Sequence, residues 1–167
     1  SYLAANVFDM VTRKPILPAY KIATAHGVKV AFIGTVLRGT AETALASGIA
    51  GLEFIDEADA INRQLPELRK QGVGVFVVLL HQGGTTSEKF DQQDCSQLQG
   101  PVVDVVKRLD PAIRVVVSGH SHKGYLCRVD GRLVTQSDSA GHVMARIKLR
   151  VDTGTNTLRD VSATQEV

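Results

Sequence analysis

Neither sign of charge dominates this sequence. Nineteen lysines and arginines face seventeen aspartates and glutamates, a formal net charge of +2. The basic residues are scattered, so no basic field argues for a nucleic-acid polymer as partner. Long apolar runs are lacking too. The longest, such as Val73–Leu80, are too short to span a membrane, and the opening residues do not read as a signal peptide. Prolines number only five, and 44% of residues are hydrophobic against 22% charged. That balance excludes disordered, collagen-like and low-complexity classes. What remains is 167 residues of ordinary globular composition, the size of one domain. The chain opens on Ser-Tyr-Leu-Ala-Ala-Asn with no methionine, which reads as a mature or cut product.

Residues 1–7 are mostly small or apolar and read as a buried strand. Arg13, Lys14, Pro15 and Pro18 then break regular structure. Tyr20–Ala25 and Val28–Val36 read as a hairpin around a His26-Gly27 turn. Residues 37–52, rich in alanine, glycine and threonine, predict a short helix or loop. Asp56–Gln71 predicts a helix: Ala58, Ile61, Leu65 and Leu68 fall at helical spacing, Asp56 caps the start and Gly72 follows the last turn. Pro66 inside it predicts a kink or a break.

Val73–Leu80 and Ile113–Ser118 are apolar, β-branched runs of the kind buried on both faces of a sheet. Between them, Pro101–Leu109 places Val102, Val105, Val106 and Leu109 on one side of a helix. Strand, helix, strand in this texture implies a parallel βαβ unit. After residue 123 the texture changes. Gly124–Val129, Arg132–Gln136, His142–Val151 and Thr157–Val167 predict short strands joined by tight turns, an antiparallel meander. The expected fold class is α/β, one domain over 1–167, with mixed sheets, a parallel βαβ core and the meander at the C-terminal end.

Three of the five histidines sit at the carboxyl ends of the two buried runs. His81 follows Val-Val-Leu-Leu and precedes Gln82-Gly83-Gly84; His120 and His122 follow Val-Val-Val-Ser-Gly. Ligands of open α/β sheets bind outside the carboxyl ends of strands, and parallel neighbours would bring these two ends together. Gly119 and the Gly83-Gly84 pair permit close backbone approach. Three imidazoles gathered there suit a divalent metal. Each histidine alone is equally compatible with a surface loop or a hydrogen-bonding role.

The segment Val115-Val116-Val117-Ser118-Gly119-His120-Ser121-His122 resembles the GHSH/GHTH signature of calcineurin-like metallophosphoesterases. His81 in Leu79-Leu80-His81-Gln82-Gly83-Gly84 resembles the isolated metal histidine of that family. The wider chain is similar to bacterial 5′-nucleotidases through Ala5-Asn6-Val7, residues 28–34, Gly100-Pro101, Leu109-Asp110-Pro111 and residues 130–134. The resemblance implies part of a four-layer α-β-β-α sandwich. It implies that His81 and His120 bind one ion of a dinuclear pair (Zn, Mn, Mg, Co or Ni) and His122 the other. A metal-bridging hydroxide would then attack a nucleotide phosphate ester.

The family also needs an Asp-x-His, a Gly-Asp and a Gly-Asn-His-Glu/Asp motif upstream, and none occurs in this chain. Residues 1–167 therefore read as the second half of such a domain, lacking its N-terminal half and any C-terminal nucleotide-binding domain. No catalytic residue is expected here, at most one weakly held metal, and very low activity of the chain alone. Gly119, Ser121, Gln82, Gly83 and His142 are expected to support the site from loops. Cys95 and Cys127, the only cysteines, are compatible with core residues or free thiols; similar secreted nucleotidases imply a bridge, and with it a secreted or periplasmic location. Two other functions stay open: a non-catalytic binding module of this fold, and a mononuclear three-histidine zinc hydrolase.

Overall fold

The computed structural model describes residues 2–167. Ser1 lies outside the described residues, so the strand expected over residues 1–7 is judged from residue 2.

Two tight turns build the edges of the main sheet. His26 and Gly27, both at positive φ (50° and 80°), join β2 (Tyr20–Ala25) to β3 (Val28–Thr35). Asp130 and Gly131 (48° and 75°) join β7 (Tyr125–Val129) to β8 (Arg132–Gln136) in the same way. Two successive positive φ angles give the hairpin turn whose twist matches that of its strands. Between these edges run β5 (Val75–Leu80) and β6 (Val115–Ser118), giving a six-stranded sheet ordered β2-β3-β5-β6-β8-β7. The centre is parallel, with Ile33 opposite Val78, Val78 opposite Val116, and Val116 opposite Val134. All four of these side chains are fully buried, as the continuous apolar runs predict.

One face of the sheet is covered by α3 (Glu57–Asn62), α4 (Leu65–Lys70) and α5 (Pro101–Lys107), through Ala58, Ile61, Leu65, Leu68, Val102 and Val106. The other meets a separate hairpin of β9 (Met144–Asp152) and β10 (Thr157–Glu166), where Val161 and Ala163 pack on Val77, Val115, Leu126 and Leu133. A small ribbon of β1 (Val7–Asp9) and β4 (Leu52–Phe54) lies apart from both.

The α/β class, the parallel core and the late hairpins stand as the sequence predicts. Their arrangement is more particular. The two late hairpins do not join into one meander: β8 inserts between β6 and β7 and runs parallel to β6, while β9 and β10 form their own layer. All five β8 residues are buried, in keeping with a place between two strands, while the edge strand β7 leaves Arg128 partly exposed.

Residues 2–6 are not a strand, because Asn6 takes the place of a ladder. Its buried amide donates to the carbonyls of Val36 (2.8 Å) and Ile55 (3.2 Å) and accepts from the Val36 amide. Residues 37–52 hold two single-turn helices, α1 (Thr40–Thr43) and α2 (Ala46–Ile49), before β4.

The helix expected over Asp56–Gln71 breaks at Arg63-Gln64 into α3 and α4, which puts Pro66 in the first turn of α4 where no N–H is needed. Asp56 caps α3 by accepting from the Asp59 amide at 3.0 Å, and Arg108 forks onto both of its oxygens at 2.8 and 2.9 Å. The Arg108 hydrogen bonds lower the Asp56 pKa first and the cap amide adds to that, against partial burial. We expect Asp56→Ala to cost about 1 kcal/mol of stability at pH 7. A lowered native pKa contributes stability above the unfolded value, so the penalty should persist at pH 5 and fade below about pH 3.9. Urea unfolding of both proteins across pH 3–7 checks this; a pH-independent difference would leave only a packing effect.

Candidate functional site

The parallel pairing of β5 with β6 ends both strands on one side of the sheet. His81 is the first residue past β5, and its amide extends the ladder by donating to the Thr35 carbonyl at 3.0 Å. The next loop carries His120 and His122, both in left-handed backbone (φ 76° and 53°). Such angles are uncommon outside glycine, and histidine is one of the few side chains enriched there. Backbone in this region costs of order 1–3 kcal/mol and collects at functional sites.

All three imidazoles are exposed. The His81 and His120 rings meet edge to face with centroids 5.2 Å apart. Burial lowers the His81 pKa most, and the charges of His120 and His122 lower it further. An imidazole kept neutral is the form that binds metals.

The donor set fits one ion better than two. Imidazoles sharing a tetrahedral zinc, with Zn–N bonds of about 2.0–2.1 Å, have centroids about 5 Å apart, close to the His81–His120 separation. His122 does not complete a third position: among the described residues, no three histidine, cysteine or acidic side chains gather closely enough to hold an ion. A preformed mononuclear three-histidine site is therefore not what the structure shows.

The two loops are held in contact. A Cβ on Gly83 would lie 2.6 Å from the Gly119 oxygen and 2.7 Å from the Ser121 amide nitrogen, so glycine is what lets the loops touch. Gly119 plays no such part, since a Cβ there would sit 3.6 Å from the nearest atom, His81 Nδ1. Close approach thus belongs to Gly83-Gly84 rather than to Gly119.

Ser121 Oγ donates to the Gly84 carbonyl at 2.7 Å, and Gln82 turns back to accept from the Gly83 amide. Gln82, Gly83, Gln99, His120 and Ser121 line a cleft of about 400 Å³ beside the rings. His142 lies in an exposed turn between β8 and β9. Sequence reasoning missed Tyr125 and Gln136, which reach the end of β6 and the His120–His122 loop from β7 and β8. The only signal was a polar group within an otherwise apolar strand.

Cys95 and Cys127 form a disulfide, with Cα atoms 4.1 Å apart. It ties the loop that follows His81 to the strand that follows His122.

No protein-family model matches the chain. Curated relatives do. The chain is 32% identical over 161 residues to endonuclease YhcR of Bacillus subtilis, covering 96% of the chain and 13% of that protein. It is 30% identical to cell wall protein Lmo0130 of Listeria monocytogenes, covering 90% and 20%. It is 25% identical to a 5′-nucleotidase of Vibrio cholerae, covering 83% and 24%. The chain thus spans a quarter or less of the length of these relatives.

Among solved structures it superposes on the calcineurin-like phosphoesterase YfkN from Bacillus subtilis with a TM-score of 0.76, at 20% identity, covering 98% of the chain and 55% of that one. The chain has the metallophosphoesterase fold. A 5′-nucleotidase precursor from Thermus thermophilus matches the same metallophosphoesterase fold with a TM-score of 0.73 at 21% identity, over 98% of the chain and 32% of its own. The resemblance read from Gly119-His120-Ser121-His122 thus agrees with the fold of the whole chain.

Proposed function

We infer that this chain carries part of the metal site of a secreted or periplasmic phosphoesterase that hydrolyses nucleotide phosphate esters. The observation that carries this reading is the His81–His120 pair, 5.2 Å apart at the ends of adjacent parallel strands in a metallophosphoesterase fold. His81 and His120 would hold one divalent ion, and His122 would contribute to a second in the whole protein. Such ions supply Lewis-acid activation of water and neutralise charge at phosphorus. The chain's own part is to hold the His81 pKa down by burial, aim the imidazoles from two clasped loops and leave the 400 Å³ cleft open beside them.

No carboxylate joins the three histidines among the described residues, which supports weak binding of a single ion and low activity when the chain stands alone. The remaining ligands would come from further chain packed on the sheet. Leu79, on a central strand, is 38% exposed, and with Phe32, Val117, Ile147 and Leu149 it lines an apolar cleft of about 210 Å³. The disulfide supports an oxidising compartment, as does the likeness to a cell wall protein. The endonuclease relative favours a second reading, in which the ester is the phosphodiester of a nucleic acid.

The test is phosphate release from a nucleoside 5′-monophosphate by the whole protein carrying this chain, with added Mn²⁺ or Zn²⁺. His120→Ala should lower the rate at least tenfold; equal rates would sink the reading. Metal-dependent cutting of a single-stranded oligonucleotide, with no action on the monophosphate, would select the second reading.

A further inference from the structure

Behind the two histidine loops lies a polar cluster on β6, β7 and β8 that no step above uses. Tyr125, in β7, is fully buried, and its hydroxyl lies 2.6 Å from Ser118 Oγ. Ser118 spends its single proton on the Thr135 carbonyl at 3.0 Å, so in this pair the tyrosine O–H donates. Ser118 is the last residue of β6, two before His120.

The Gly84 carbonyl is taken by Ser121 Oγ, which lies between the two loop histidines. Ser121 Oγ in turn accepts from Gln136 Nε2 at 3.1 Å, and the same nitrogen donates to the Lys123 carbonyl at 2.8 Å. The Gly84 carbonyl is therefore held by a side chain of the His120–His122 loop, which Gln136 steadies in turn. Where Gly83 allows contact, these bonds fix its register.

We propose that Gln136 and Tyr125 are positioning residues for the two histidine loops: Gln136 holds Ser121 in place to clasp Gly84, Tyr125 anchors Ser118 where the His120–His122 loop leaves β6, and together they set the His81–His120 separation. The proposal rests on the metal-site reading above. Partners one layer behind metal ligands change affinity by about 10–100-fold when removed. Tyr125→Phe leaves ring packing in place and deletes only the hydroxyl, so Ser118 loses the tyrosine and keeps its bond to the Thr135 carbonyl. Gln136→Leu removes the second arm at similar volume.

The test titrates the chain with Zn²⁺ alone by calorimetry and records the nuclear Overhauser cross-peak between the His81 and His120 rings in metal-free protein. Each variant should bind Zn²⁺ about tenfold more weakly and lose most of the cross-peak. Leu68→Val serves as a control for plain destabilisation. It packs at the opposite, amino-terminal end of β5, where the Val73 amide bonds the Leu68 carbonyl, and it should lower the melting temperature while leaving both readouts unchanged. Unchanged affinity and cross-peak in Tyr125→Phe and Gln136→Leu would overturn the proposal. If the unmutated chain takes up no Zn²⁺, its histidines do not hold an ion without further ligands, and the ring cross-peak alone decides whether the clasp exists.

Discussion

Replacing both Cys95 and Cys127 with alanine is expected to lower the unfolding free energy by about 3–4 kcal/mol. The bridge closes a loop of 32 residues, and the loss follows from the freedom this loop regains in the unfolded chain. Native-state geometry argues against the bridge being an incidental contact. Both cysteines are fully buried. The Cys95 amide donates to the Leu126 carbonyl at 3.0 Å, and the Arg128 amide donates to the Cys95 carbonyl at 2.9 Å. The backbone around the two cysteines is thus paired as well as the sulfurs.

Those two hydrogen bonds, with Asp94 on Arg128, are what would hold residues 85–99 to β7 once the sulfurs are gone. Domains of this size have about 5–15 kcal/mol in total, so the loss would be a large share. Urea unfolding of the double variant, and of the unmutated chain with and without reductant, measures it. Equal midpoints in all three would show that the bridge contributes nothing to stability.

The α/β class was legible because burial on both faces leaves a plain mark. Val75–Leu80 and Val115–Ser118 are apolar without alternation, and only central parallel strands tolerate that. The two hairpin turns were legible for a local reason: His-Gly and Asp-Gly carry the backbone angles the turn demands. The place of β8 was not legible. Arg132–Gln136 reads as a strand in any sheet, and its insertion between β6 and β7 depends on partners far away in sequence. Residues 2–6 misled for a similar reason. Ala4 and Ala5 are buried as a strand would be, but the Asn6 amide reaches residues 30 and 49 positions away.

At the candidate site, residue types were legible and their spacing was not. The ends of two apolar runs placed His81, His120 and His122 on one side of the sheet. The family resemblance implied a His81–His120 pair distinct from His122, which spacing by itself does not. That distinction comes from a loop in which two left-handed residues flank Ser121, whose side chain turns in to Gly84. The supporting residues were harder still, because a tyrosine and a glutamine in separate strands share no motif.

Gly83→Ala should cost about 1–3 kcal/mol of stability, the range for overfilling a packed site, while Gly119→Ala should stay within about 0.5 kcal/mol of the unmutated chain. Both glycines lie in the loops that carry the histidines, and neither is held at positive φ. Conformational strain therefore does not distinguish them, and space does. At Gly83 the new methyl meets backbone atoms of Gly119 and Ser121 at under 3 Å, and backbone cannot swing aside as a side-chain tip would. At Gly119 the nearest atom is at ordinary contact distance.

Stiffening of the unfolded chain, about 0.4–1 kcal/mol in favour of alanine, acts at both positions and cancels in the comparison. The only relief open to Gly83→Ala is to move the two loops apart, which lengthens the Ser121–Gly84 hydrogen bond and parts the rings of His81 and His120. Its loss of stability should therefore come with loss of Zn²⁺ binding. Thermal melts and zinc titrations of the two variants side by side settle the matter: equal stability and equal affinity would show that the loops are free to separate, and that their contact does not set the geometry of the histidines.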